Sequence, residues 1–223
     1  MWNDYFYQIQ KKYSMRLSKK EPLVIRLDGK DVTKSKELNL LYKFKGSFFD
    51  AFEESAKYFS KKYNCYALFG TDEMSFIIEN PITLFEALSS DNTNHSNEVI
   101  SLFSQYFFNY FNKTYNGDNI FFHAKCFSIP NGKINSYIKY RSRSITNVIT
   151  TYFLKRNDVK AGKIKIEERI SKCNDFKDYE NIKHVEKGVL YFNGNKLDID
   201  KFLLGENKIL EDESDEIEFD IEF

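Results

Sequence analysis

The sequence predicts an α+β fold in which an antiparallel sheet is flanked by helices. Short apolar runs rich in β-branched and aromatic residues alternate with longer segments whose apolar residues recur every three to four positions. Cys65–Phe69 and Met74–Ile78 flank only a short turn, the spacing of a β-hairpin. The resulting order, βα-ββ-α-β-α, suits an antiparallel sheet covered by helices on one side.

Trp2, Tyr5, Phe6, Ile9 and Tyr13 recur at helical spacing and predict an amphipathic helix over residues 2–17. Pro22 precedes the apolar run Leu23–Leu27, a central strand. Ser47 is placed to cap a helix that turns Phe48, Phe49, Phe52, Ala56 and Phe59 inward. The polar stretch 89–97 is a loop. Val99, Ile100, Phe103, Tyr106, Phe107 and Tyr110 mark a buried helix after it. Ile120–Ile129 is a further strand, closed by the turn signal Pro130-Asn131-Gly132, and a helix follows over about 134–155. Past residue 160 the chain is more charged, with one strand expected at Gly188–Phe192.

The 223 residues suit one large domain, or one domain with an appendage. Twenty-two Phe and fifteen Tyr are enough to build a core. No run approaches the roughly 18 uncharged apolar residues of a membrane span, so no membrane partner is expected. Met1-Trp2-Asn3-Asp4 does not open a signal peptide. Cys65, Cys126 and Cys173 are odd in number and lack metal-ligand spacing; they read as buried thiols in a reducing, cytoplasmic setting. The net charge of zero hides an asymmetry. Residues 211–223 hold eight acidic and no basic side chains, so residues 1–210 carry 33 basic against 25 acidic ones, a net of +8. A basic body with an acidic tail fits a polyanionic ligand, and equally an ordinary Lys-rich surface with a solubilising tail.

Two acidic signatures carry the chemistry: Val24-Ile25-Arg26-Leu27-Asp28-Gly29-Lys30 and Leu68-Phe69-Gly70-Thr71-Asp72-Glu73-Met74-Ser75-Phe76. Each sets a carboxylate where a hydrophobic strand meets a turn. Gly29 lets the backbone turn sharply and approach a ligand. Residues Lys30 to Thr33 can offer main-chain N–H groups to a triphosphate. If the hairpin neighbours the Asp28 strand, Asp28 and Asp72 face one another, an arrangement that is costly unless a divalent cation bridges them. Such an oxygen-rich pair suits Mg²⁺, with two ions able to activate an attacking oxygen and hold a triphosphate, as in a polymerase-type palm. The other reading is plain: Asp-Gly is a common turn dipeptide, and acids in hairpin turns are ordinary surface residues.

Five segments in order resemble the tRNA-histidine guanylyltransferase family, and more closely its shorter tRNA-repair relatives, the 3′–5′ polymerases. They are Ile25–Lys30, Thr71–Phe76, Phe122-His123-Ala124-Lys125 through Pro130, Tyr137–Arg141 with Asn147 beyond it, and Asn174-Asp175-Phe176 followed by Lys187–Tyr191. The resemblance implies a polymerase/cyclase-like palm over residues 1–160 with a C-terminal subdomain over 161–210 packed on it; the acidic stretch 211–223 has no counterpart in the family and reads from its composition as a flexible tail. It implies that Asp28, the Gly29 carbonyl and Asp72 bind two Mg²⁺ ions with Glu73 in support, making Asp28, Asp72 and Glu73 the catalytic acids. Arg26, Gly29, Lys30, Asp31, Val32, Thr33, Lys43 and Thr71 would meet the nucleotide, GTP above all and ATP as a further substrate. Lys139, Arg141, Arg143 and Asn147 would meet tRNA. The implied activity is addition of nucleotides to the 5′ end of tRNA, as 5′-end repair or tRNA-His guanylylation, by a homotetramer or dimer. Independently, Tyr137, Arg141, Ser144 and Val148 share one helical stripe, and a semi-buried Arg there needs an anionic partner, either a ligand or a structural carboxylate.

The chain also departs from the family pattern. His123 stands for the expected Asp and Lys125 for the expected Arg, and the helix after Arg141 lacks the expected Gln and Asp. A lone His in an apolar strand is expected to be packed and hydrogen-bonded. The departures keep a non-catalytic RNA-binding palm open. The hairpin Phe69-Gly70-Thr71-Asp72-Glu73-Met74 is also similar to the Gly-Gly-Asp-Glu-Phe hairpin of diguanylate cyclases, with Thr71 in place of the second Gly.

Overall fold

The computed structural model describes residues 16–30, 32, 46–88, 94–162 and 164–205. Among them are six strands: β1 (Leu23–Gly29), β2 (Tyr66–Gly70), β3 (Glu73–Ile78), β4 (Phe122–Ser128), β5 (Val189–Phe192) and β6 (Asn195–Leu197). They form one sheet in the order β4-β1-β3-β2-β5-β6, and every neighbouring pair is antiparallel. The expected α+β class and antiparallel sheet are borne out.

Alternation along the strands divides the sheet into two faces. Phe76 points to one, where it meets Phe59 of α1 (Ser47–Lys62) and Phe103 and Phe107 of α3 (Ser96–Thr114). The α3 stripe that is buried is Val99, Phe103, Phe107 and Phe111; of the aromatics expected inside, Tyr106 is exposed. Phe107 also meets Phe52 of α1 and Phe122 of β4, so one ring ties two helices to two strands. Ser75 points to the opposite face, which is covered by α4 (Ile134–Arg156) through Tyr137. Helices therefore flank both faces, not one as the element order had suggested. The cause lies in β2 and in the turn before β5: Gly70 and Gly188 leave room for Ile145 of α4 to lie flat on the sheet.

Ser47 is the first helical residue of α1; Gly46, at φ 81°, holds the cap position without a side-chain bond. The sequence did not single out α2 (Pro81–Leu88), α5 (Ile166–Cys173), α6 (Ile199–Leu203), β6 or the 3₁₀ turn Glu180–Val185. These pieces are short or charged and carry little periodicity. The helix expected over 2–17 lies outside the described residues except for Arg16, which bridges His95, and Leu17. Residues 89–93 of the expected loop and the acidic tail also lie outside them. No helix among the described residues is long and apolar enough to cross a membrane.

Candidate active site

The site forms where β1 ends and the β2–β3 hairpin turns. Asp28 pairs with Glu73 on one side and with His123 on the other. One residue on, the Gly29 N–H donates to the Asp72 carbonyl at 2.8 Å, so Asp28 and Asp72 stand at adjoining strand ends. The backbone approach is close enough that a Cβ on Gly29 would lie 2.6 Å from Val32 Cγ2 and 3.3 Å from the Asp72 carbonyl. Glycine is required by that contact, since Gly29 does not adopt a left-handed conformation. Thr71 leads the hairpin turn at φ 59°, a conformation that costs a β-branched residue on the order of 1–3 kcal/mol and that glycine adopts freely.

Arg26, Asp28, Glu73 and Ser75 lie on the α4 face, because residues two apart on a strand share a side. Glu73 is buried and gripped from two directions. Arg141 of α4 gives it Nε at 3.0 Å and Nη2 at 2.5 and 2.6 Å, and Arg26 gives it Nη2 at 2.7 Å. Both carboxylate oxygens of Glu73 are thus engaged by guanidinium, a strong bidentate geometry. The Arg141 guanidinium also lies 5.3 Å from the Tyr140 ring centroid, and its Nη1 reaches Ser144 Oγ at 3.5 Å. Beneath this cluster Ser75 Oγ and Tyr137 OH are 3.3 Å apart. Burial raises the Tyr137 pKa, the Ser75 bond opposing it, so the ring remains a neutral phenol at ordinary pH.

The residues picked out from sequence fall into three groups. Asp28, Gly29, Val32, Thr71, Asp72, Glu73, Arg26 and Arg141 come together here. Lys30 starts from the same place, its N–H donating to the Phe121 carbonyl at 2.7 Å. Lys139 and Arg143 are exposed on the outer side of α4, Arg143 lying 3.9 Å from Glu167. Asn147 is further along α4, where its Oδ1 accepts from Arg169 at 2.6 Å. Arg169 also donates to Thr151, Gly162 and Ile164, so it fixes the Asn147 amide; the sequence offered no signal for that role. Asp31, Thr33 and Lys43 lie outside the described residues. His123 is exposed on the edge strand, contrary to the packed histidine expected, because β4 pairs only with β1 among the described strands and turns its odd-numbered residues outward.

No group of three or more His, Cys, Asp or Glu side chains able to hold a metal occurs among the described residues. The donors here are two carboxylates and a glycine carbonyl, an all-oxygen set of the kind a hard cation accepts. With Glu73 committed to two arginines, Asp28 and Asp72 are the carboxylates whose chemistry fits such an ion.

This is the palm type of α+β domain, an antiparallel sheet with paired acids at one strand end. Solved structures share it. A bacterial tRNA(His) guanylyltransferase (Thg1)-like protein in complex with ATP is 17% identical, covers 85% of this chain and 84% of its own, and superposes with a TM-score of 0.63. The GTP complex of a bacterial Thg1-like protein is also 17% identical, with 85% and 83% covered and a TM-score of 0.63. The tRNA(His) guanylyltransferase of Saccharomyces cerevisiae is 20% identical, with 86% and 93% covered and a TM-score of 0.55. No protein-family model and no curated protein matches the sequence. The chain therefore has the fold of the Thg1-like proteins.

Proposed function

We propose that this protein is a Mg²⁺-dependent 3′–5′ nucleotidyltransferase that adds nucleotides, chiefly GTP, to the 5′ end of tRNA. The observation that carries the reading is the junction of Asp28, Gly29 and Asp72. The hydrogen bond from the Gly29 N–H to the Asp72 carbonyl brings two carboxylates to adjoining strand ends, and glycine there avoids a clash with the Val32 side chain. Support comes from the same fold in Thg1-like proteins solved with ATP and with GTP. In this reading Asp28, the Gly29 carbonyl and Asp72 hold the metal, which would supply the positive charge that phosphoryl transfer requires. The loop 29–33 holds the triphosphate, although the Lys30 N–H, which donates to the Phe121 carbonyl, is not among its donors. Glu73 positions Arg26 and Arg141 beside it. Lys139, Arg143 and Asn147 face the tRNA. The assembly is a dimer or tetramer, acting in the cytoplasm.

The test is incubation with Mg²⁺, labelled GTP and a tRNA lacking its first 5′ nucleotide, supplied with a 5′-triphosphate or a 5′-monophosphate. Label should enter at the 5′ end, and Asp28→Ala or Asp72→Ala should abolish it. Retained activity in either variant would sink the metal assignment. Cyclic product from GTP alone would replace the reading with a cyclase, and RNA binding without turnover with a non-catalytic palm.

A further inference from the structure

The acidic stretch 211–223 carries a pattern that the proposed chemistry does not use. Residues 211–216 are five acids and a serine. The seven that follow, Ile217-Glu218-Phe219-Asp220-Ile221-Glu222-Phe223, alternate strictly between apolar and acidic side chains. Charge keeps a segment solvated; an Ile or Phe at every second position does not serve that end. Strict alternation is the pattern of a strand with one apolar and one charged face. Residues 206–223 lie outside the described residues, and the described surface holds an edge that matches such a strand.

Two strands end the sheet among the described residues. β6 is three residues long, and its Lys196 is already paired with Glu53. β4 is seven residues long, like the alternating segment, and bears one full charge, Lys125. A long edge with so little charge is a template for a further strand. The Lys30 N–H donates to the Phe121 carbonyl and the Ile129 N–H to the Pro22 carbonyl, so the odd-numbered residues of β4 bond to β1. The N–H and C=O groups of Phe122, Ala124, Cys126 and Ser128 therefore point to the open side. The register also sorts the side chains. His123 and Lys125 stand opposite Asp28 and Arg26, hence on the α4 face, and both are exposed. Ala124 and Cys126 share the other face with Phe122, which packs on Phe107 and Phe111 of α3. Just before the strand, Phe121 is 61% exposed and lies on Phe108 of α3, with ring centroids 5.2 Å apart. A strand added to this edge fits best with acids on the α4 side and apolar side chains on the α3 side, which is the alternation of 217–223.

Reach and direction agree with this edge. The last described helix, α6, packs Phe202 on Tyr66, at the end of β2 that lies level with Leu23 and Ser128. From β2 to β4 is three strand spacings, about 14 Å. Residues 206–216 extend to about 36 Å, enough to round the end of the sheet and enter at Ser128. A strand entering there runs antiparallel to β4, as every neighbouring pair in this sheet does. With Ile217 opposite Ser128, Asp220 stands opposite Lys125 and Glu222 opposite His123, while Phe219 meets Cys126 and Phe223 meets Phe122.

We propose that residues 217–223 dock on the edge of β4 as an antiparallel strand of the same chain, with apolar side chains toward α3 and acids toward His123 and Lys125. The docked strand closes the edge and brings the carboxylate of Glu222 next to the strand partner of Asp28. The proposal does not depend on the polymerase reading, since it matches the chain to itself, and its tests read no activity.

Amide hydrogen exchange on the full chain, compared with a chain ended at residue 216, reads the pairing. Without 217–223 the Ala124 and Cys126 amides should exchange about ten-fold faster or more, while those of Lys125 and Phe127, bonded to β1, keep their rates. Equal rates in both chains, or acceleration of all four amides alike, would overturn the pairing. Disulfide capture in the full chain reads the register. Lys125→Cys with Asp220→Cys should close under oxidised glutathione, whereas Lys125→Cys with Phe219→Cys, which sets the thiols on opposite faces, should not. No bridge in the first pair, or bridges alike in both, would overturn the docking. The bridged protein should keep the mass of a single chain on a non-reducing gel. A bridged dimer would assign the edge to the tail of a second copy and overturn docking within the chain.

Discussion

Glu73 lies directly opposite Asp28 on the neighbouring strand, where like charges repel. Arg26 and Arg141 offset that repulsion and leave the cluster with balanced charge. Because Glu73 and Arg141 are nearly enclosed, removing the carboxylate strands a buried guanidinium. Glu73→Ala should therefore cost about 3 kcal/mol, at the low end for a broken buried pair because Arg26 keeps access to water. Urea unfolding measures it, and a loss under about 1 kcal/mol would show the pair to be incidental. Thr71 makes the opposite case. It bears left-handed backbone at the tip of the hairpin. Thr71→Gly should raise stability by about 1 kcal/mol, the relieved strain less the added freedom of the unfolded chain, or about 2–4 °C in Tm. A lower Tm would mean that the threonine side chain contributes more than the strain costs.

At the scale of elements, α4 is held to the sheet by absence of side chains as much as by contact. A Cβ on Gly70 would meet Ile145 Cγ2 at 2.6 Å, and one on Gly188 would meet Ile145 Cδ1 at 2.8 Å. Gly70→Ala should cost about 1–3 kcal/mol through overpacking, and Gly70→Ala with Ile145→Ala, which removes the Cγ2 that the new methyl meets, should cost less than the sum of the two single losses. Additive losses in the double-mutant cycle would disprove the contact. This seating was not legible in the sequence: helical periodicity shows that α4 has a buried stripe, but not which face of the sheet receives it. The hairpin and β1 were legible because their apolar runs end in turn residues. The same alternation that exposes His123, Lys125 and Phe127 was present in the sequence too, hidden because Phe122 and Cys126 make the strand read as uniformly apolar. Arg141 was visible as a semi-buried cation needing an anion; that its partner is Glu73 depended on the register between β3 and α4, which no local pattern encodes.

Over the whole molecule, the groups most displaced in titration among the described residues are neutral acids buried in, or packed against, an aromatic core. Burial pushes the Cys126 thiol up to about 12, the Cys173 thiol to about 11 and the Tyr63 phenol to about 12. Burial also raises the Cys65 thiol and the Tyr179 and Tyr191 phenols, the last two aided by hydrogen bonds to Glu186 and Glu53. The sign of the effect follows directly. Below pH 9, the ordinary value of these thiols, both folded and unfolded chains keep their protons and stability is full. Above it the unfolded chain ionises first, so stability falls as pH rises toward the folded values, by about 1 kcal/mol per pH unit for each enclosed thiol. The urea midpoint should thus be level from neutral pH to about 9 and decline steeply beyond it. Cys65→Ala should lessen the decline while lowering the plateau, since the side chain is fully buried. Native protein should also resist iodoacetamide at pH 8 and react at all three cysteines once unfolded, because the thiolate is the reactive form. A midpoint that stays level to pH 10.5, or rapid alkylation of the native chain, would show that these side chains meet water and that the core is looser than its packing indicates.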